Sequence, residues 1–91
     1  MFAWRFNNKL RLMPAGKMLR IILLSRGMVH WSFNHWQTAE DTNTVDTGLG
    51  TYVVDLPTEK LPAGSQINFT IFWQTEQRWE GIDFSVTVQS L

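Results

Sequence analysis

The sequence predicts an all-β fold, a two-layer antiparallel β-sandwich in one domain spanning residues 1–91. Apolar residues recur with a period of two, which is the mark of strands with one buried face, and spacing of the helical kind is nearly absent. The stripes are separated by Gly, Pro and Asn turns. At 91 residues the chain lies below the usual domain size, so its core must be built economically. It has no Cys to cross-link that core, and five Trp, six Phe and one Tyr to fill it.

In chain order, Phe2, Trp4 and Phe6 alternate, then Pro14-Ala15-Gly16 makes a turn into the apolar run Lys17 to Leu24. Met28 to Phe33 alternates next, followed by a turn at Asn34-His35 and a polar segment, Gln37 to Thr47, read as loop. A turn at Thr47-Gly48-Leu49-Gly50 precedes the stripe Tyr52, Val54, Leu56. A second turn, Pro62-Ala63-Gly64, leads into Ile67, Phe69, Ile71 and Trp73, and Phe84, Val86 and Val88 end the series. Proline presets φ at such a turn and Gly suits its end, so the two Pro-Ala-Gly copies are either one good turn used twice or an internal duplication.

Within Met28-Val29-His30-Trp31-Ser32-Phe33-Asn34-His35-Trp36, alternation sends Val29, Trp31 and Phe33 to one face and Met28, His30 and Ser32 to the other. Trp31 is thereby a packing residue of the kind immunoglobulin-like sandwiches bury on a central strand. Trp36 follows the turn without a strand to bury it, and is either a ligand platform or a plug over a satellite core. Trp79, in the hydrophilic stretch Gln74 to Gly81, is the other aromatic without a periodic reason to be inside. It either caps the sandwich end or offers a flat apolar face to a ligand, since a solvated indole is unfavourable. Sugars suit such a face: pyranose C–H groups lie on the ring while polar side chains take the hydroxyls, the usual division in small-molecule sites. Trp4 fits either core or surface.

These residues resemble a family. VHWSFNHWQT, DTGLGTYVVDLP and FTIFWQTEQRWEGIDFSVTV look like the carboxy-terminal β-domain of bacterial glucoamylase-like proteins of glycoside hydrolase family 15, and FNNKLRLMPAGKMLRI looks like its opening. The same order resembles starch-binding modules of carbohydrate-binding families 25 and 26, which are immunoglobulin-like sandwiches. The resemblance implies an α-glucan or maltooligosaccharide as partner, beside a catalytic glucoamylase domain in the same polypeptide. It places the binding residues at His30, Trp36 and Trp79, with Asp83 as a polar contact. Arg78 and Gln37 are expected as weaker hydroxyl partners. The loop after His30 is shorter than in those modules, and His35 stands where Gly or Asp is commoner.

Other functions are disfavoured by the same residues. Glycoside hydrolysis needs two carboxyls fixed across the bond, one with a raised pKa, whereas Glu40, Asp41, Asp46, Glu76, Glu80 and Asp83 fall in polar segments. No nucleophile elbow or phosphate loop is present. His30 and His35 bring no third or fourth ligand, so neither a metal nor a cofactor is expected. Eight basic and eight acidic residues cancel, but unevenly: six basic residues precede position 31 and every acid follows it. A phosphate backbone would be repelled where Trp36 and Trp79 lie, so no nucleic-acid partner is expected. The longest apolar run, Ile21 to Leu24, is short of the ~7 to 15 residues of a signal core, so neither export signal nor membrane anchor is expected. The expectation is a non-catalytic α-glucan-binding module. Its alternative is a structural β-domain that packs on a catalytic domain without binding sugar, using Phe72 or Trp4 as a contact patch.

Overall fold

The computed structural model describes residues 1–90, all of them strand, turn or irregular chain. The strands are β1 (Phe2–Trp4), β2 (Leu12–Pro14), β3 (Leu19–Leu23), β4 (Gly27–Ser32), β5 (Glu40–Asn43), β6 (Val45–Asp46), β7 (Tyr52–Leu56), β8 (Gln66–Trp73), β9 (Arg78–Trp79) and β10 (Phe84–Gln89). One sheet has the order β1-β3-β7-β6, the other β2-β10-β8-β4-β5, with β9 added to β8. A β-sandwich is therefore what the alternation builds. Two outer pairings, β1 with β3 and β2 with β10, are parallel, so both sheets are mixed.

The inward faces meet in one core. Leu19, Ile21, Leu23, Val54 and Leu56 from the first sheet face Val29, Trp31, Ile67, Phe69, Ile71, Val86 and Val88 from the second. Trp4 joins them at 1% exposure, which settles its position and removes it as a contact patch. Its register opposite Ile21 gives it the inward parity, and its ring reaches across to Phe69 and Phe84 at 4.9 and 4.7 Å. Phe6 does not continue the stripe. The chain turns back through reciprocal Arg5–Asn8 bonds and leaves Phe6 partly exposed at the sandwich end, against Trp4, Trp73 and Phe84. Phe33 and Trp73, expected inside, are half-buried at the core margin.

The segment Gln37 to Thr47, expected as loop, contains β5 and β6. Neither has a buried stripe, and each is an edge strand supported by its neighbour's backbone. The chain crosses from one sheet to the other at Thr44, whose N–H donates to Gly27 O at 3.0 Å while its Oγ1 accepts from Gly27 N at 3.2 Å. Both Pro-Ala-Gly turns close on the end of β10: Ala15 N donates to Gln89 O, and Gly64 N to Val88 O. Gly16 and Gly64 have φ of 87° and 93°, a conformation that costs a side-chain-bearing residue energy.

Two polar features hold the first sheet. Thr58 is buried, its Oγ1 accepting from Leu19 N at 3.0 Å and donating to Lys17 O at 2.6 Å. Replacing it by Val leaves that buried N–H unpartnered, so Thr58→Val should lower the unfolding free energy by about 1–3 kcal/mol in urea titrations. On the outer face, Arg20 donates to both oxygens of Asp55 at 2.7 and 2.9 Å. That bidentate bond holds the Asp55 carboxyl below the ordinary carboxylate range. A lowered folded-state value means the contribution is present above the ordinary carboxylate pKa and is lost as pH falls through the folded one. The stability difference between wild type and Asp55→Asn should therefore be small at neutral pH, because both groups are about a third exposed. It should shrink further on acidification, and a difference that grew instead would contradict the assignment.

Candidate functional site

The outward face of the second sheet carries the candidate site. Because Val29 and Trp31 point into the core, His30 points out of β4, opposite Asp41 on β5 and Thr70 on β8. One residue pair along, Phe72 lies opposite Met28 on β4 and Trp79 on β9. The hydrophilic stretch that carries Trp79 is a short hairpin. β9 takes the edge of β8 at Phe72 and Trp73, which β10, paired only from Gln66 to Phe69, leaves free.

Trp36 arrives from the loop. Its ring stacks on His30 with centroids 5.3 Å apart and planes inclined by 11°. Trp79 meets the same imidazole edge-on at 5.8 Å and 72°, and rests against Phe72 at 5.1 Å. The two indoles are thus steeply inclined to one another across His30. The Asp41 carboxylate accepts a hydrogen bond from His30 Nδ1, which fixes the orientation of the ring. Trp79 remains 47% exposed, a large apolar surface left in water.

The loop is held in an unfavourable conformation. His35 and Trp36 have φ of 57° and 67°, left-handed values that cost side-chain-bearing residues about 1 kcal/mol or more each. Ser32, 2% exposed, compensates: its Oγ accepts from Trp36 N at 3.0 Å and Asn34 N at 3.2 Å, and donates to Asn34 Oδ1 at 2.8 Å. Asn34 Oδ1 also accepts from Thr38 N.

His30, Trp36 and Asp83 border one open hollow of about 340 Å³ together with Ala39 and Thr70. Trp79 joins the group through its contact with His30. Arg78 does not. As the residue next to Trp79 on β9 it has the opposite parity, and it borders a separate hollow with Phe6, Trp73 and Glu80. Gln37 is exposed on the turn, outside the residues that line the hollow. Asp41 and Thr70 were not anticipated, since their position beside His30 depends on register across three strands. Phe72 is half-buried beside Trp79, so the exposed apolar hollow is elsewhere, at the sandwich end between Phe6, Ile22, Leu24 and Trp73.

No family model and no solved structure matches the chain. It is similar to a cycloisomaltooligosaccharide glucanotransferase of Niallia circulans, with 28% identity over 98 residues. The similarity takes in 96% of this chain and 10% of that enzyme, so the chain spans about a tenth of the curated relative's length. The likeness is thus to a stretch of a larger carbohydrate-active enzyme, of a different kind from the glucoamylases that the motifs resemble.

If Ser32 holds the loop as its bonds indicate, Ser32→Ala should lower stability by about 1–3 kcal/mol. It should also red-shift part of the Trp emission as Trp36 leaves His30. Unchanged emission would mean that the stack holds without that hydroxyl.

Proposed function

We propose that this domain binds α-glucan, of the starch or maltooligosaccharide type, as a non-catalytic accessory module of a larger glucan-processing enzyme. On the motif resemblance, that enzyme would be a glucoamylase. The observation that carries the reading is the pair of indoles on His30. Trp79 is nearly half exposed, and Trp36 is held at a strained backbone angle by a buried serine, so neither serves the core. Their inclined planes suit a ligand that bends between successive rings, as an α-linked glucan does. Asp83, Thr70 and His30 border the same hollow as Trp36 and supply polar groups for hydroxyls. The similarity to a tenth of a glucanotransferase supports a role as part of a longer polypeptide, and its name brings in α-glucans of the isomalto type.

A second reading, packing against a catalytic domain, is favoured by the apolar hollow of Phe6, Ile22, Leu24 and Trp73. That hollow is lined by residues distinct from those around His30, so the two readings do not compete for one surface.

Titration with maltoheptaose, and separately with an isomalto-oligosaccharide of equal length, should perturb Trp fluorescence and amide shifts around residues 30, 36 and 79. Trp36→Ala and Trp79→Ala should each weaken binding about 5- to 30-fold, the worth of one aromatic contact, with the thermal midpoint of unfolding preserved. Spectra unchanged by either sugar at millimolar concentration would exclude glucan binding and leave the packing role.

A further inference from the structure

We infer that the binding surface continues from the indoles along β8 and β10 as a polar track, formed by Asn68, Gln66, Ser85, Thr87 and Lys9, which takes further units of a neutral polyhydroxylated chain. The inference rests on the glucan reading and extends it to residues outside the aromatic site.

Register sets the track. Ser85 pairs with Asn68 and Thr87 with Gln66, so two rows of outward side chains run side by side from the hollow at His30 toward the start of β8. A solvated sheet face ordinarily carries long charged side chains, whereas these rows hold only short hydroxyls and amides. The rows themselves offer donors and acceptors in both senses, and the hollow beside them is bordered by the charged Lys9, Arg11 and Asp83. That composition suits sugar hydroxyls. Asp83 makes the track continuous with the aromatic site: it borders the hollow of His30 and Trp36, and also a second hollow of about 420 Å³ that includes Gln66, Ser85, Thr87 and Lys9.

Two further observations fall on the track. Asn68 Nδ2 donates to Ser85 Oγ at 2.9 Å, yet its Oδ1 is a buried acceptor without a partner among the described residues. An orphaned acceptor of this kind is costly, and a hydroxyl reaching it as the amide turns outward would remove that cost. Beside the start of β10, the Lys9 ammonium lies 5.4 Å from the Phe6 ring centre and 5.8 Å from that of Phe84. The two rings hold a flexible donor in place along the edge of the track.

The track makes affinity depend on ligand length. The test compares a trisaccharide with a heptasaccharide of the same linkage by calorimetry, on wild type, Gln66→Ala, Lys9→Met and Trp79→Ala. Gln66 and Lys9 are not core residues, and matched thermal midpoints check that the variants fold. Wild type should bind the heptasaccharide at least about tenfold more tightly. Gln66→Ala and Lys9→Met should each lower heptasaccharide affinity about three- to tenfold, the range of one net hydrogen bond, and leave the trisaccharide unchanged. Trp79→Ala should weaken both. If Trp79→Ala weakens binding while the two track variants bind the heptasaccharide as wild type does, or weaken both sugars equally, the track is wrong and the aromatic site stands. If wild type binds neither sugar, the glucan reading itself fails.

Discussion

The pairing of β4 with β8, from Gly27 opposite Trp73 to Ser32 opposite Asn68, decides both the inside and the outside of this molecule. Its inward residues, Val29, Trp31, Phe69 and Ile71, lie at the middle of the core, between 0 and 7% exposed. The intervening positions are thereby fixed outward, and they are His30, Thr70 and Phe72. A slip of one residue would bring His30 and Thr70 into the core and turn Trp31 and Phe69 to water. With a strand period of two, the burial of one face is what holds the register of the other. The candidate site is therefore specified by the apolar core beneath it.

The five Trp divide according to that constraint. Trp4 and Trp31 fill the sandwich, and Trp4 does more than fill: from the outermost strand of one sheet it touches Phe69 and Phe84 of the other. In a chain without disulfides, such a ring spanning the two layers takes the part of a cross-link, through burial and edge-to-face contact. Trp73 closes the core margin with its Nε1 donating to Glu80 Oε1 at 2.8 Å, satisfied and partly covered. Trp36 and Trp79 have neither arrangement. Their contacts are with each other's neighbour, His30, and with Phe72, all on the outer surface.

Much of this was legible in the sequence because it depends on parity alone. The stripes gave β4, β7, β8 and β10, buried Trp31, and turned His30 outward. Parity also carried a signal about Arg78 that adjacency obscured: a residue next to Trp79 on a strand points the other way, and Arg78 borders the opposite hollow. What parity cannot supply is register between strands. Asp41 reaches His30 because β5 runs antiparallel to β4 with a set offset, and β5 itself has no apolar stripe to announce it. The parallel pairings escaped for the same reason, since alternation is identical in either direction. Trp4 was undecided because a three-residue strand is too short for its neighbours to vote on its face.

The strain at His35 and Trp36 bears on what the loop is for. Two successive left-handed residues cost energy that the loop does not recover in core packing, because Trp36 is not a core residue. The loop is instead over-determined by Ser32 and Asn34, whose side chains satisfy the Asn34, Trp36 and Thr38 N–H groups. Folding energy is thus spent on fixing one indole against one imidazole, whose own orientation is set by Asp41. A platform ordered in advance spares a ligand the cost of ordering it, about 0.5–1.5 kcal/mol for each large side chain immobilised. For a neutral sugar, whose individual contacts are weak, that saving is a sizeable part of the affinity attainable on an open surface. A packing role alone gives no reason to hold the Trp36 loop in a strained conformation.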